Sequence, residues 1–549
     1  MHRLCLVFVA ALWAGLGCAA AAQDPADAAA PTAAGSAAHP SLVVFITVDQ
    51  LRPDYLTRWH DQLSGGLRRL VDQGAFFTRG TQDHAITETA PGHATTMSGR
   101  FPYSTGIASN SAGVNTPDAP LVGGTGVGAS PFRFRGTTLA DWMAAADPRV
   151  KVLSVSRKDR GAILPIGRGK YPVFWYAPST GGFVTSTWYA DTLPTWVQAF
   201  GAENRVVARY GGQAWGLSAP GSSYPEPDSV PAEDAGREFL FPHVMPTDTA
   251  AARAAFISFP WMDEYTLDFA WRGVRALGLG AGPQTDLLAV SLSTTDAVGH
   301  RFGPDSRELH DQILRLDKSL GAFLDSLVAL RGAGNVVVAL TADHGVAPSP
   351  EVQSTFGDNA MARRVMGADF DAALGTVAPV VQRLKLDPTA FGFDGQTLDV
   401  DRSKVAGKEK DVLAVARAFA AAARKVGGVE RVDVIDDLAR ADTVRDDIAR
   451  RWLHMFRPGG EVLVAITLTP YSLFGTSIVA THGSPHDYDA RVPIIFWGPG
   501  IVPGRSDRIV RVVDMAPTLA ALLGVKPTEK LDGVPIRSVL VPASATPRE

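Results

Sequence analysis

The stretch Leu42-Val43-Val44-Phe45-Ile46-Thr47-Val48 is a continuous apolar run that ends at Asp49. Such a run is typical of a strand buried on both faces, as in a parallel sheet. Two more runs follow the same pattern: 287–292 leads into Ser293-Thr294-Thr295-Asp296, and 336–341 leads into Ala342-Asp343-His344-Gly345. Each of the three predicted strands therefore has an aspartate just past its carboxyl end, the edge at which open α/β sheets bind ligands.

Helical patterns lie between these strands and complete the prediction of an α/β fold. Residues 307–330 place apolar side chains at spacings of three and four, which is typical of an amphipathic helix packed on a sheet. A further buried strand is predicted at 492–497, and the chain closes with a strand end and a helix over 512–523. Residues 161–285 and 346–480 interrupt this rhythm and are expected to be large insertions at the ligand-binding edge of the sheet, where they would shape access to the site; the alternative is that they are surface embellishments.

The first residues predict export from the cytoplasm. Arg3 is followed by an apolar segment over 4–16 and by Ala20-Ala21-Ala22, which together indicate a signal peptide over 1–22. The apolar segment is too short to span a membrane. Lipoprotein processing at Cys18 is the alternative, although Gly15 fits that pattern poorly. Residues 23–40 are rich in Ala, Pro and Ser and predict a flexible linker, so 41–549 remain for the folded domain.

The charge and the cysteine content of the chain indicate which partners it binds and whether disulfides stabilise it. The 549 residues carry a net charge of −4 without a long run of either sign, so we expect no nucleic-acid partner and no binding to a charged membrane surface. The two cysteines, Cys5 and Cys18, would both leave with the signal peptide. The mature protein would then have neither disulfides nor thiolate chemistry, and we expect it in the periplasm or outside the cell.

A second informative stretch runs from Thr87 to Arg100, with the sequence Thr-Glu-Thr-Ala-Pro-Gly-His-Ala-Thr-Thr-Met-Ser-Gly-Arg. Pro91 fits the first turn of a helix, where its missing N–H costs nothing. The hydroxyl of Thr89 would then lie at a helix N-terminus, which favours an anion such as phosphate or an attacking alkoxide. From this stretch alone, Thr89 could equally be a helix N-cap.

Ligand-type side chains recur at the predicted strand ends. Asp296 and His300 are four residues apart, so one helical turn would make them face the same way. Four more residues complete a set of three aspartates and three histidines: Asp49, Asp343, His344 and His482. Carboxylate and imidazole ligands without thiolate suit catalytic zinc, and six ligands divide naturally into two sites of three.

These motifs resemble those of the alkaline phosphatase superfamily, in particular the bacterial periplasmic alkaline phosphatases with a threonine nucleophile, the PafA type, which is related to type I phosphodiesterases and nucleotide pyrophosphatases. The resemblance extends from Leu42 to about Leu540. Its most specific pieces are Val48-Asp49-Gln50-Leu51-Arg52-Pro53-Asp54-Tyr55, Thr89-Ala90-Pro91-Gly92-His93-Ala94, Thr295-Asp296-Ala297-Val298-Gly299-His300, Thr341-Ala342-Asp343-His344-Gly345 and Thr481-His482-Gly483-Ser484-Pro485. It implies a mixed, mostly parallel central sheet flanked by helices.

The resemblance also assigns roles to the ligand set. It implies that Asp296, His300 and His482 hold one zinc ion. It implies that Asp49, Asp343 and His344 hold the other, with Thr89 as the nucleophile bound to it. His486 is the alternative to His482, but the family's ligand directly precedes a glycine, as His482 precedes Gly483.

Three further residues bear on the substrate. The resemblance makes Asn110, Lys158 and Arg160 the phosphate contacts of the monoesterases, and charged donors bind phosphate oxygens strongly. A solvated basic turn after the strand at 152–156 is the alternative for Lys158 and Arg160. A phosphodiesterase of this superfamily would more typically lack the basic pair.

The sequence therefore predicts an alkaline phosphatase that uses two zinc ions per subunit. It would hydrolyse small-molecule phosphate monoesters through a phosphothreonine intermediate, with broad specificity, as a monomer or homodimer. The alternatives are a phosphodiesterase or nucleotide pyrophosphatase of the same superfamily and a non-catalytic exported protein that binds phosphate or metal. A sulfatase is disfavoured because no C/S-x-P-x-R motif surrounds Thr89, and a phosphomutase because such enzymes are typically cytoplasmic.

Overall fold

The computed structural model describes residues 39–356, 361–475 and 479–541. The predicted signal peptide, 1–22, and residues 23–38 of the predicted linker lie outside the described residues. Within the described part of the chain, no helix is both long and apolar enough to cross a membrane.

The strands are β1 (Leu42–Val48), β2 (Ala75–Thr81), β3 (Leu121–Val122), β4 (Val152–Ser156), β5 (Val173–Ala177), β6 (Gly182–Ser186), β7 (Ala214–Trp215), β8 (His243–Val244), β9 (Asp286–Leu292), β10 (Val336–Thr341), β11 (Ala347–Pro348), β12 (Arg364–Val365), β13 (Phe391–Phe393), β14 (Thr397–Val400), β15 (Val429–Val434), β16 (Val462–Leu468), β17 (Leu473–Phe474), β18 (Ala480–Thr481), β19 (Arg491–Trp497), β20 (Gly504–Ser506) and β21 (Val510–Arg511).

The helices are α1 (Tyr55–Arg58), α2 (Gly66–Gln73), α3 (Thr89–Thr96), α4 (Pro102–Thr105), α5 (Leu139–Ala146), α6 (Asp159–Ile163), α7 (Thr195–Glu203), α8 (Val206–Tyr210), α9 (Thr249–Ala255), α10 (Trp261–Leu277), α11 (Thr294–Phe302), α12 (Arg307–Arg331), α13 (Pro350–Phe356), α14 (Asp371–Gly375), α15 (Val377–Arg383), α16 (Glu409–Ala423), α17 (Asp447–Met455), α18 (Asp487–Ala490) and α19 (Met515–Leu523).

A mixed sheet of 11 strands forms the centre of the molecule, in the order β20-β2-β19-β10-β1-β9-β4-β5-β6-β3, with β21 also paired to β2. Strands β10, β1, β9, β4 and β5 run parallel to one another. Strand β19 is antiparallel to β10 and β2, and β6 is antiparallel to β5. The predicted mixed, mostly parallel sheet flanked by helices is confirmed.

Strand β1 lies in the middle of this sheet, and every one of its side chains is buried. It pairs with β9 on one side and with β10 on the other, and both of these strands are also fully buried. The continuous apolar runs therefore formed the strands that they predicted. Burial of each strand between two neighbours and two helix layers explains why polar alternation is absent from their sequences.

Helices cover the sheet in two groups. Helices α2, α10 and α12 contact one another or the strands β2, β4, β9 and β19, and α12 spans the amphipathic segment predicted at 307–330. Helices α3 and α6 contact each other, and α6 also contacts β4, β5 and β9. The second group matters for function because α3 begins at Thr89.

The stretch 161–285, expected to be an insertion, contributes more to the central sheet than its composition suggests. Strands β5 and β6 extend the sheet, and α10 packs against β4 and β9. The segment outside the sheet and its helix layers is therefore shorter than expected. Within this Gly- and Pro-rich stretch, β5 pairs with β4, and β6 pairs with β5.

The stretch 346–480 builds a separate layer. Its four-stranded sheet has the order β13-β14-β16-β15 and packs with α14, α15 and α16 around an apolar cluster that includes Phe370 and Phe419. Helix α17 joins this layer to the central domain through a smaller cluster that contains Ile86 and Trp452. Helix α17 of the insertion thus packs beside the segment that precedes Thr89.

Candidate active site

The carboxyl ends of three adjacent parallel strands bring the predicted aspartates together. Thr47 of β1 is level with Ser291 of β9 and with Thr341 of β10. Because the strands are in register, Asp49 and Asp343 leave the sheet at the same height, and Asp296 follows one helical turn later in α11. All three carboxylates are buried, with at most 3% of each residue exposed.

Thr89 is the first residue of α3, and Glu88 occupies the N-cap position. The interpretation of Thr89 as a helix N-cap is therefore wrong, because its hydroxyl faces other elements instead of its own helix. Thr89 Oγ1 lies 3.1 Å from Lys158 Nζ and 3.5 Å from His344 Nε2, and the residue is 1% exposed. A buried hydroxyl at the positive end of a helix is favourably placed for reaction with an anion.

Asp296, His300 and His482, which the sequence predicts to hold one ion, lie close together and are called the first ligand group here. His300 Nε2 lies 3.2 Å from Asp296 Oδ1, as their spacing of four residues predicts, and His482 Nε2 lies 3.8 Å from the same oxygen. The rings of His300 and His482 have centroids 5.1 Å apart. The structure thus brings a residue from the last motif next to a pair carried by one helix.

Asp49, Asp343 and His344 form the second group. His344 Nε2 lies 3.4 Å from Asp49 Oδ1 and 3.5 Å from Asp343 Oδ2, close enough for all three to bind one ion. The ring of His344 also stacks on that of His482, with centroids 3.5 Å apart. The two groups are therefore in contact, and Asp296, His344 and His482 also approach one another as a possible triplet of ligands.

All three histidines are oriented in the same way by the backbone. The Nδ1 atoms of His300, His344 and His482 lie 2.8, 2.9 and 2.7 Å from the carbonyl oxygens of Ala480, Gly345 and Thr87, respectively. An Nδ1–H donated to a carbonyl fixes the tautomer that leaves Nε2 with a free lone pair. In each case that Nε2 faces the buried carboxylates, which is the arrangement of metal-binding histidines.

A bound cation would stabilise the buried carboxylates of this cluster in their ionised form. Burial and the neighbouring carboxylates of Asp296 and Asp343 raise the pKa of Asp49 to about 6. Burial opposes ionisation of Asp296 too, but Lys158 and His300 hold its pKa below the usual value. Burial and the nearby imidazoles lower the pKa of His482, which keeps its ring neutral. Asp49 Oδ1 accepts no hydrogen bond from any described residue.

Lys158 is the central cation of the site. Its Nζ lies 2.6 Å from Asp49 Oδ2 and 2.7 Å from Asp296 Oδ2, in addition to its contact with Thr89. It is 8% exposed, which a solvated basic turn would not explain. Arg157, which sequence reasoning did not single out, adds an NH2 group 3.4 Å from Asp296 Oδ2.

Asn110 and Arg160 lie at the edge of this cluster. Asn110 Oδ1 accepts the backbone N–H of Ala90 at 2.9 Å, and the backbone N–H of Asn110 donates to Glu88 at 2.6 Å. Asn110 is thus tied to the first turn of α3. The positive charge of Arg160 opposes the rise in the pKa of Glu88 that burial causes. The buried Nε–H of Arg160 has no hydrogen-bond partner among the described residues.

Several supporting residues escaped sequence reasoning. His93 is fully buried, and its Nδ1 lies 2.9 Å from the carbonyl of Thr89 and 3.1 Å from Asp343 Oδ2. Gln50 has a positive φ of 67°, and its backbone N–H donates to Asp343 Oδ1. Both residues lie inside the quoted motifs, and this position is the signal that could have indicated them, since Asp343 is distant from both in sequence.

His486, the alternative to His482, faces elsewhere. Its Nε2 lies 2.8 Å from the carbonyl oxygen of Leu468 in β16. The structure therefore places His482, and not His486, beside Asp296.

Gly92 explains how closely α3 approaches the ligand-bearing edge. A Cβ at this position would overlap the carbonyl oxygen of Asp343 and lie 2.7 Å from its Cβ. We expect Gly92→Ala to lower the free energy of unfolding by about 1–3 kcal/mol, as overpacking does in other cores. Chemical denaturation measures this. Gly201→Ala in α7 is the control, because nothing lies within 4 Å of its added Cβ; equal stability of the two variants would contradict the prediction.

Comparisons with known proteins agree with this arrangement. Residues 43–120 and 138–425 match the family model described as type I phosphodiesterase / nucleotide pyrophosphatase. The alkaline phosphatase PhoV of Synechococcus elongatus is 32% identical over 519 residues, covering 89% of this chain and 91% of the relative. The crystal structure of wild-type alkaline phosphatase PafA matches with a TM-score of 0.81 at 29% identity, covering 92% of this chain and 99% of that one.

A crystal structure of a PafA variant is also similar, with a TM-score of 0.82 and 28% identity over 92% of this chain and 99% of that one. In it a threonine, an asparagine, a lysine and an arginine are all replaced. The threonine and asparagine are as far apart in sequence as Thr89 and Asn110, and the lysine and arginine as far apart as Lys158 and Arg160.

Proposed function

Because this chain belongs to the type I phosphodiesterase / nucleotide pyrophosphatase family, we propose that it hydrolyses phosphate monoesters with Thr89 as the nucleophile. The relatives that carry the name alkaline phosphatase support this choice within the family. The observation on which it depends is the buried cluster itself, where a threonine hydroxyl lies against a lysine and between two groups of carboxylate and imidazole side chains.

The chain's residues fit two zinc ions. Asp296, His300 and His482 would hold one ion, and Asp49, Asp343 and His344 the other, together with Thr89. The fit is supported by the bare Oδ1 of Asp49 and by the three imidazoles whose Nδ1 atoms face carbonyl oxygens. Nitrogen and oxygen donors without thiolate are those of catalytic zinc sites. Bound zinc supplies Lewis acidity for an attacking alkoxide and for the oxygen of a leaving group.

Thr89 carries the covalent step. The Thr89 hydroxyl gives its proton to water, and its Oγ forms a bond to phosphorus while the bond from phosphorus to the ester oxygen breaks. The departing oxygen takes a proton from water and leaves as the alcohol. Water then attacks the phosphothreonine, which releases inorganic phosphate and restores the hydroxyl. The helix N-terminus and the Lys158 ammonium, 3.1 Å from Oγ1, favour the anionic form of the oxygen and of the phosphoryl group.

Three side chains would bind the transferring phosphoryl group. Lys158 provides a buried ammonium, and Arg160 a guanidinium whose Nε–H has no partner among the described residues. Asn110 is held by its Oδ1, so its amide NH2 group remains to donate to a phosphate oxygen. Charge-assisted bonds of this kind are about twice as strong as neutral ones, and they serve a monoester best because its non-bridging oxygens carry more charge.

The deciding experiment compares matched substrates. Purified, zinc-loaded protein is assayed against an aryl phosphate monoester and a diester with the same leaving group. We expect a higher kcat/KM for the monoester. Preference for the diester would assign the protein to the phosphodiesterase branch of the family. Failure to hydrolyse either ester, with zinc and phosphate still bound, would indicate the non-catalytic binding protein.

Thr87 offers a test of the histidine orientation. Its carbonyl accepts from His482, while its hydroxyl donates to the carbonyl of Ser484 at 2.9 Å and accepts the N–H of Gly483 at 3.2 Å. We expect Thr87→Val to weaken zinc binding about tenfold, as the loss of supporting hydrogen bonds does at other zinc sites. Competition with a chromogenic chelator measures the affinity.

The matched control is Thr185→Val. Thr185 is buried in β6, but its Oγ1 has no hydrogen-bond partner among the described residues, so its replacement should leave zinc affinity unchanged. Equal affinities in the two variants would show that the hydrogen bonds of Thr87 do not orient His482.

A further inference from the structure

A cavity of about 410 Å³ lies beside the candidate active site. It is bordered by Glu88, which precedes the nucleophile, and by His482 of the first ligand group. The opposite wall comes from the insertion, with Asp394 and Gln396 from the turn between β13 and β14. The cavity therefore connects the chemistry of the central domain with the layer built by residues 346–480.

The charged side chains that line this cavity are acidic. Among the described residues that line it are three carboxylic acids, Glu88, Asp394 and Asp489, and no lysine or arginine. Asp394 is the exposed member, and it accepts hydrogen bonds only from neutral groups, the N–H groups of Gln396 and Thr397 and the hydroxyl of Thr397. Among the described residues, these hydrogen bonds come from neutral donors only, and no lysine or arginine forms an ion pair with the Asp394 carboxylate beside the cavity.

Gln396, two residues after Asp394, holds the β13–β14 turn next to the active-site loop. Gln396 Nε2 donates to the carbonyl oxygen of Gly483 at 3.1 Å, which joins the β13–β14 turn to the loop that carries His482. Two aromatic residues, Phe474 and Tyr488, also line the cavity. Aromatic faces and a nearby carboxylate are the surroundings that proteins use to bind an ammonium group.

We propose that this cavity receives the leaving group and selects phosphate monoesters whose alcohol carries an ammonium group. The inference rests on the proposed function and specifies its substrate class. An anionic leaving group would be repelled by Asp394, whereas an ammonium would gain Coulombic attraction at the same position. Asp394 is then a specificity-determining residue supplied by the insertion.

A second cavity, of about 770 Å³, borders His300 but has a different charge pattern. Its two arginines are already paired: Arg237 lies 2.9 Å from Asp234, and Arg301 lies 3.0 Å from Asp234 and 2.9 Å from Glu238. These ion pairs balance one another, so this cavity offers no net charge to a leaving group. It provides the control position for the experiment.

The test uses three phenyl phosphates that differ only in the para substituent: aminomethyl, hydroxymethyl and carboxymethyl. For the wild type at low salt, we expect kcat/KM to be about tenfold higher for the ammonium than for the carboxylate substrate. Asp394→Asn, which keeps the hydrogen-bond acceptor of the turn, should reduce this ratio to about twofold, and high salt should reduce it in the wild type. Glu238→Gln should leave the ratio unchanged.

Two results would overturn the inference: equal kcat/KM values for all three substrates in the wild type, or a ratio that changes in Glu238→Gln and not in Asp394→Asn. Failure of the proposed function gives a different result, because none of the three esters would then be hydrolysed. Thermal melting of Asp394→Asn, together with its rate on the hydroxymethyl substrate, shows whether the variant is folded.

Discussion

Replacement of Thr89 by alanine is expected to lower kcat for phosphate monoesters by a factor of about 10⁴ or more, because the oxygen that forms the bond to phosphorus is removed. The variant should keep its fold. Thr89 Oγ1 contacts Lys158 and His344, but the helix begins at the backbone of Thr89, and Asn110 continues to accept the N–H of Ala90. Zinc content should also stay largely intact, because the aspartate and histidine ligands proposed for both ions remain and only the Thr89 oxygen is lost.

Three measurements make this prediction specific. Steady-state rates on an aryl phosphate give the loss, and metal analysis gives the zinc content. Acid quenching of the wild type during turnover, followed by mass spectrometry, should locate a phosphoryl group on Thr89. Thr95→Ala is the matched control, because the hydroxyl of Thr95 donates within α3 to the carbonyl of Pro91. Turnover of Thr89→Ala at the rate of the wild type would remove Thr89 from the mechanism.

The central strands were predictable because each is specified locally. Seven consecutive buried side chains in β1 leave no polar alternation, and β9 and β10 follow the same rule. The order of strands within the sheet was not predictable in this way. Strands β5 and β6 are short and lie in a Gly- and Pro-rich stretch. The pairing of β5 with β4 and of β6 with β5 joins residues whose partnership no local pattern reveals.

The ligand residues were predictable for a different reason. Asp49, Asp296 and Asp343 each follow the carboxyl end of an apolar strand, and parallel strands place those ends at the same edge of a sheet, where the structure brings the three together. The orientation of the histidines was not predictable, because the acceptors for His300 and His482 are carbonyl oxygens of Ala480 and Thr87, far away in sequence. The N-cap interpretation of Thr89 failed for a related reason, since its hydroxyl contacts Lys158 and not its own helix.

Long-range contacts also connect the insertion at 346–480 to the candidate active site. Arg450 of α17 lies 3.0 Å from Asp83, and Arg451 donates to the carboxylate of Asp487 at 2.7 Å. Asp83 belongs to the segment before Thr89, and Asp487 follows the loop of His482. One helix of the insertion therefore contacts both segments that bring the proposed nucleophile, Thr89, and the proposed ligand, His482, into the site. Local sequence patterns describe this helix only as a charged one.

Lys158 and Arg160 provide the second large effect. We expect Lys158→Ala combined with Arg160→Ala to lower kcat/KM by about 10³ for an aryl phosphate monoester, since each lost charge-assisted bond costs about 1.5–3 kcal/mol. The loss for the matched diester should be only about tenfold, because a diester presents less charge on its non-bridging oxygens. The ratio of the two kcat/KM values is the measured quantity.

The control must remove the same charge without touching the site. Arg168→Ala combined with Lys170→Ala does so, because these exposed residues have the same spacing and donate to the backbone carbonyls of Phe132 and Trp188. Its kcat/KM ratio should equal that of the wild type. An equal loss on monoester and diester in the Lys158/Arg160 variant, with zinc content unchanged, would mean that the basic pair supports catalysis in general and does not select monoesters.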